Sequence, residues 1–210
     1  MFKKIVLGVT VLTLSVGLLS ACNKTVTENP VEPIPGQEPE IVEMSETEKF
    51  KQEYEELNEE WESVYVEVPE NVQISYLEED EVIPFLENGT GILYFGWSSC
   101  PWCRNALPAL MEVAVENNQP INYFNPKVIR SSENDTYKFI MKYLDDFLSS
   151  DETGDKKLYV PDVYFIKDGT VMGHHLDTVE TQDDPYEPLT NEQFGELKQI
   201  YEENIKKIIE

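Results

Sequence analysis

The sequence of this 210-residue chain predicts an α/β domain on a mixed sheet. Three observations carry that expectation. The apolar runs at 91–96 and 163–166 are continuous, as strands buried on both faces are. Stripes with the helical period separate and follow them. Lys167-Asp168-Gly169-Thr170 reads as a hairpin turn that brings the chain back antiparallel. The predicted order is strand, helix, strand, helix, strand, helix, strand, strand, helix, an α/β sheet with a terminal antiparallel hairpin.

The elements follow from the N-terminus. Residues 1–4 are a short basic start with Lys3 and Lys4, and residues 5–19 are apolar, long enough for a signal h-region and short for a spanning helix. Leu19-Ser20-Ala21-Cys22 follows, and it resembles the lipobox of bacterial lipoproteins, in which the Cys becomes the first mature residue and carries a diacylglycerol. The plainer alternative is an ordinary cleaved signal with an incidental Cys. Two acyl chains anchor stably where one does not. Residues 22–44 are polar, with Pro30, Pro33, Pro35 and Pro39 close together, and read as an extended tether. At about 3.1 Å per residue it reaches up to roughly 70 Å from a bilayer.

Residues 45–66 form an acidic extension. Phe50, Tyr54, Leu57, Trp61 and Val64 recur at spacings of three and four, and Ser45 with Glu48 makes a capping box, so one helix over 45–64 is expected. Its single apolar stripe favours packing on the domain over a partner surface. The domain itself occupies 67–210. Strands are expected at 72–77, 91–96, 121–124, 163–166 and from Val171 on. Helices are expected at 81–87, from Cys100 to about Asn117, at 137–148, and from Thr190, where Gln193 completes a second capping box.

Charge narrows the function. With 16 Lys+Arg against 41 Asp+Glu the chain carries −25, and loss of residues 1–21 with their two lysines would make it −27. Such acidity excludes a nucleic-acid partner, which needs a basic face. It equally opposes lying flat on an anionic membrane. The chain is long enough to bury a core, and three Cys could not build a disulfide framework.

Cys100-Pro101-Trp102-Cys103 lies directly after the apolar run and opens a helix. A thiol at a helix N-terminus meets unpaired backbone N–H groups and the positive end of the dipole, which favour its thiolate. That thiolate is the nucleophile of disulfide exchange. Pro101 suits the first turn, where its missing N–H costs nothing. Cys103, one turn inward, would resolve a mixed disulfide made by Cys100. Two readings compete. A zinc site wants about four ligands, and the only histidines, His174 and His175, would point to opposite faces of a strand. A purely structural disulfide would close too small a loop to add much. No metal ligand and no separate cofactor is assigned.

The motifs resemble those of the thioredoxin fold. Phe95, the Cys100–Cys103 pair and Pro108 are similar to its active-site strand and kinked helix. Val160-Pro161-Asp162-Val163-Tyr164-Phe165-Ile166-Lys167-Asp168-Gly169 is similar to its cis-proline loop, following strand and hairpin. The resemblance covers about 70–210 and implies a thioredoxin-like central mixed sheet flanked by helices. It implies that Pro161 is cis and faces the Cys pair, and that the Val160 backbone pairs with an extended substrate segment. Several positions depart. Ser99 stands where thioredoxins usually have Trp, and Pro101-Trp102 where they have Gly-Pro. Tyr94 stands where a buried Asp usually assists the resolving thiol, which leaves that role unassigned. The glutathione-binding Gly-Gly of glutaredoxins is not visible. The stretch between Phe124 and Pro161 is longer than in a minimal member, and residues 182–189 are a further insertion.

The relatives implied are exported, lipid-anchored thioredoxin-like proteins of Gram-positive bacteria, including bacteriocin-accessory types. The resemblance therefore implies a thiol–disulfide oxidoreductase on the extracytoplasmic face of the membrane. Its partners would be protein thiols or disulfides and a membrane electron carrier. Cys100 and Cys103 would be catalytic, Val160, Pro161, Pro101, Trp102 and Trp97 would contact substrate, and Cys22 would carry lipid. The rival expectation is a non-catalytic binding module, or a copper or zinc chaperone using the pair. Arg104 is expected either to lower the Cys100 pKa or to sit solvated in the first turn. Trp97 is expected to rim a groove or, in the plainer reading, to pack. His174 and His175 are expected on the strand surface; Tyr186 and Pro188 are expected in a loop, and nothing in the sequence decides whether that loop contacts substrate.

Overall fold

A computed structural model describes residues 43–61 and 63–210. The expected signal segment, Cys22 and the tether up to residue 42 lie outside the described residues.

Among the described residues, seven strands and six α-helices follow one another. Helix α1 is Glu46–Glu55, β1 Ile74–Tyr76, α2 Glu79–Asn88, β2 Gly91–Phe95, α3 Pro101–Glu116 and β3 Ile121–Phe124. Then come α4 Lys127–Ser132, α5 Asp135–Tyr143, β4 Ser149–Ser150, β5 Lys156–Lys157, β6 Asp162–Lys167, β7 Thr170–Leu176 and α6 Asn191–Ile209. Five strands make one mixed sheet in the order β1-β3-β2-β6-β7. β3 lies parallel to β1 and β2, whereas β6 runs antiparallel to β2 and β7. β4 and β5 form a separate two-stranded ribbon.

The continuous apolar runs have the central position expected of them. Every residue of β2 is buried, and β6 is buried from Asp162 through Ile166. Their side chains alternate between two cores. Ile92, Tyr94, Val163 and Phe165 meet α1, α3 and α6 on one face. Leu93, Phe95, Tyr164 and Ile166 meet α2 and α5 on the other. The hairpin between β6 and β7 turns through Asp168 and Gly169, both at positive φ, the backbone that a two-residue I′ turn requires. A Cβ at Gly169 would stand 1.9 Å from the Glu87 carbonyl oxygen, so that position excludes a side chain on two counts.

Two expectations about helices are corrected, and one connection gains elements that were not expected. The helix expected over 45–64 ends at Glu55, tightens through a 3-10 turn at Glu56–Glu59, and leaves Trp61 and Val64 on irregular chain. The Asn58 amide explains the stop: Nδ2 donates to the Val66 carbonyl at 2.9 Å, and Oδ1 accepts from the Val66 N–H at 3.0 Å. The helix expected over 137–148 starts at Asp135 behind an Asn134 cap and stops at Tyr143; Leu144 and Leu148 remain buried from the turn that follows. Helix α4 and the β4–β5 ribbon fill the long connection before Pro161, and their short polar sequences carry no periodic signal. The capping boxes at Ser45 and Thr190 form as expected. Helix α1 also packs as expected, with Phe50 and Tyr54 in the core.

Candidate active site

Buried strand β2 ends at Phe95, and the chain turns through Gly96–Ser99, with the Cys100 N–H bonded to the Trp97 carbonyl at 3.2 Å. Cys100 is therefore the N-cap of α3, and its Sγ accepts the Cys103 N–H at 3.4 Å. Pro101 occupies the first turn and Pro108 lies inside the helix. Both thiols are free. Cys100 is 7% exposed and Cys103 is fully buried.

Their chemistry diverges. The Cys100 thiol is held below its ordinary value. The Cys103 S–H contributes most, and the backbone N–H groups of Cys103 and Trp102 add to it, against burial and the nearby Asp177 carboxyl. Cys103 is pushed up by burial and by the neighbouring Cys100. The outer sulfur is thus the one disposed to be a thiolate, and the inner one keeps its proton.

The Val160–Pro161 peptide is cis, and the Val160 carbonyl lies 3.7 Å from Cys100 Sγ. The loop before β6 therefore faces the pair. Asp177, just past β7, closes this edge with its N–H on the Pro161 carbonyl at 2.8 Å. Beside it a groove of about 490 Å³ is lined by Trp102, His175, Asp177, Glu180, Gln182 and Ile200. Cys100, Cys103, Pro101, Trp102, Val160 and Pro161 thus come together at one end of the sheet. Trp97 is half-buried in the turn before Cys100, with Lys127 Nζ 5.9 Å from its ring centroid. Among the described residues no group of three or more His, Cys, Asp or Glu could hold a metal ion.

Several residues stand elsewhere than expected. Arg104 is fully buried and neither solvated nor poised on Cys100. Its guanidinium donates to the carbonyls of Val64 at 2.9 Å, Tyr54 at 3.1 Å and Ser98 at 3.2 Å, and to the Asn58 side chain. It ties the acidic extension to the helix that carries the thiols. His174 and His175 do point to opposite faces, but neither is a plain surface residue. His174 Nε2 pairs with Asp162 at 2.6 Å, and His175 Nε2 meets the Thr178 carbonyl at 2.6 Å. Asp162, which follows the cis-proline, also accepts from the Tyr164 hydroxyl at 2.8 Å; burial raises its pKa against the pull of both partners. The loop of Tyr186 folds back on the domain. Tyr186 stacks on Trp61 at 5.6 Å, and Asn105 holds the Pro185 carbonyl and the Leu189 N–H.

Sequence reasoning missed one neighbour of the pair. The Tyr54 hydroxyl of α1 lies 3.2 Å from that of Tyr94, and the Tyr94 hydroxyl is one of the groups that favour a Cys103 thiolate. The signal available was the departure at Tyr94; nothing local linked it to Tyr54. Comparison with protein-family models finds no match to this chain, and a search of curated proteins likewise finds none.

Proposed function

We propose that the chain is a thioredoxin-like thiol–disulfide oxidoreductase, held by a lipid on Cys22 at the extracytoplasmic face of a membrane, that exchanges disulfides with protein substrates. The observation that supports this best is the asymmetry of the pair. Cys100 is a helix N-cap beside the cis-proline loop with its pKa lowered, and Cys103 is a buried partner one turn inward. The Cys100 thiolate attacks a substrate disulfide and forms a mixed disulfide, which Cys103 resolves. Run in reverse, the oxidised pair accepts two electrons from substrate thiols. The Val160 backbone and the Trp102 groove offer an extended segment a place beside Cys100. Trp97 and Pro101 edge the same end.

Insulin reduction by the wild type and by Cys100→Ser tests this reading. Activity that depends on Cys100 is expected. Equal turnover in both would sink it, and zinc or copper retained in stoichiometric amount would instead favour a metal-carrying role for the pair. Globomycin-sensitive processing and palmitate labelling that depends on Cys22 test the anchor.

A further inference from the structure

Resting on that reading, we propose that the groove beside Cys100 selects protein substrates whose reactive cysteine is flanked by lysine or arginine, and that it takes the cation between the Trp102 indole and the carboxylates of Asp177, Glu180 and Glu196. The groove encloses about 490 Å³. Trp102, which stands between the two thiols in sequence, forms one wall. The chain leaving β7 forms a second, and the first half of α6, through Glu196 and Ile200, forms a third.

These walls are fixed before anything binds. The Asp177 N–H donates to the Pro161 carbonyl at 2.8 Å, which ties this acid to the cis-proline loop that faces Cys100. Thr178 Oγ1 donates to the buried Gln182 side chain at 2.6 Å, and Gln182 Nε2 donates to the Glu187 carbonyl at 3.1 Å. Gln193 of α6 donates to the Thr181 carbonyl at 2.9 Å. Glu180 and Glu196 are therefore carried on one bonded frame. A preformed groove loses little conformational freedom when a segment enters it.

The negative charge of the groove has no internal partner. Asp177, Glu180 and Glu196 are exposed, and among the described residues none of them forms an ion pair. Lys198, the cation nearest to Glu196 along the chain, is held by Glu112 and Glu116 of α3 at 3.1 and 2.7 Å. Arg104, the nearest to Trp102, is buried on the carbonyls of Val64, Tyr54 and Ser98. His175 spends its Nε2 on the Thr178 carbonyl, and burial lowers its pKa, so at neutral pH it adds no charge. Val179 and Ile200 offer apolar surface to the stem of a long side chain. An indole among free carboxylates suits a cation on an apolar stem, which is lysine or arginine. An anionic flank would meet three like charges, on a chain that carries −25 overall.

Two readouts on the full chain test the groove. In the first, short peptides whose central cysteine carries 5-thio-2-nitrobenzoate, flanked by lysine, alanine or glutamate, are offered to the reduced protein. The Cys100 thiolate bonds the peptide sulfur and the nitrobenzoate thiolate leaves with the electron pair, so chromophore release reads the attack; the rate in Cys100→Ser is subtracted. The lysine peptide is expected to react about tenfold faster than the alanine peptide, with an advantage that shrinks in salt, and the glutamate peptide slowest. Glu180→Gln combined with Glu196→Gln should cut the lysine advantage about fivefold. Glu87→Gln combined with Asp168→Asn removes the same charge at the hairpin end of the sheet and should preserve it. In the second, amide and indole shifts are mapped in Cys100→Ser with the same peptides carrying serine for cysteine. The lysine peptide should move Trp102, Glu180 and Glu196, and the glutamate peptide should not. Equal rates for the three peptides, or a lysine advantage that survives the groove pair or falls equally with the hairpin pair, overturns the proposal. If no peptide releases nitrobenzoate, the oxidoreductase reading falls, and the mapped shifts alone decide the groove.

Discussion

Replacing Arg104 with Met should loosen the acidic extension from the domain at a calculable cost. The guanidinium is fully buried and answers three backbone carbonyls, those of Val64, Tyr54 and Ser98, together with the Asn58 side chain. Methionine fills similar space and donates nothing. Each carbonyl left buried and unpaired costs about 1–3 kcal/mol. Removing a buried charge gives back part of this, because burial already disfavours the charged form of Arg104. Taking the low end for the three carbonyls, the net loss is about 3 kcal/mol. For a domain of this size that lowers the melting temperature by about 6–12 °C. Arg104→Lys should lose less, since an ammonium still reaches some of the acceptors. Thermal denaturation gives the total, and hydrogen exchange locates it, with the amides of Glu46–Glu55 losing protection before those of β2 and β6. A loss under about 1 kcal/mol, or protection unchanged in α1, would refute the claim that this cation pins the extension.

Two further outcomes follow from the same contacts. Cys103→Ala removes the S–H that contributes most to lowering the Cys100 pKa, so alkylation of Cys100 at fixed neutral pH should slow and its pH midpoint should move up toward the ordinary thiol; an unmoved midpoint would assign the lowering to the helix N–H groups alone. His174→Phe leaves the buried Asp162 carboxylate with fewer donors and should cost about 2 kcal/mol near pH 7. Asp162 already has a raised pKa, so folding takes up a proton between the unfolded and folded values, and stability falls as pH rises through that window. The His174→Phe penalty should therefore shrink toward pH 4 as the carboxyl regains its proton, which urea titrations at several pH values would show.

The parts of the fold visible in the sequence are those set by neighbours along the chain. The run at 91–96 is apolar because both faces of β2 are covered, and Asp168-Gly169 turns the hairpin because both residues adopt positive φ. The Cys pair could be placed at a helix start because a strand precedes it and Pro101 permits the turn. What the sequence concealed is set by distant partners. Trp61 and Val64 continue a helical spacing, yet Asn58 bonds to Val66 and Arg104 takes the Val64 carbonyl, and together they stop the helix. Arg104 follows Cys103 in sequence, which suggested either an electrostatic role or a solvated place in the first turn; the Val64 and Tyr54 carbonyls, 40 and 50 residues away, draw it inward. His174 looked exposed on an edge strand, but Asp162 across the hairpin gives it a buried acceptor. The same holds for Tyr54, whose hydroxyl finds its partner 40 residues on.

The central claim is that Cys100 is an activated nucleophile and Cys103 its buried resolving partner. The pH dependence of Cys100 alkylation in the fully reduced wild type, read by mass spectrometry so that each Cys is scored separately, tests it most directly. The account predicts that Cys100 reacts with a midpoint below the ordinary thiol value, that Cys103 stays protected over the same range, and that the pair exchanges with dithiols. A Cys100 that titrates near the ordinary value of about 8.5, with no dithiol exchange, would contradict it.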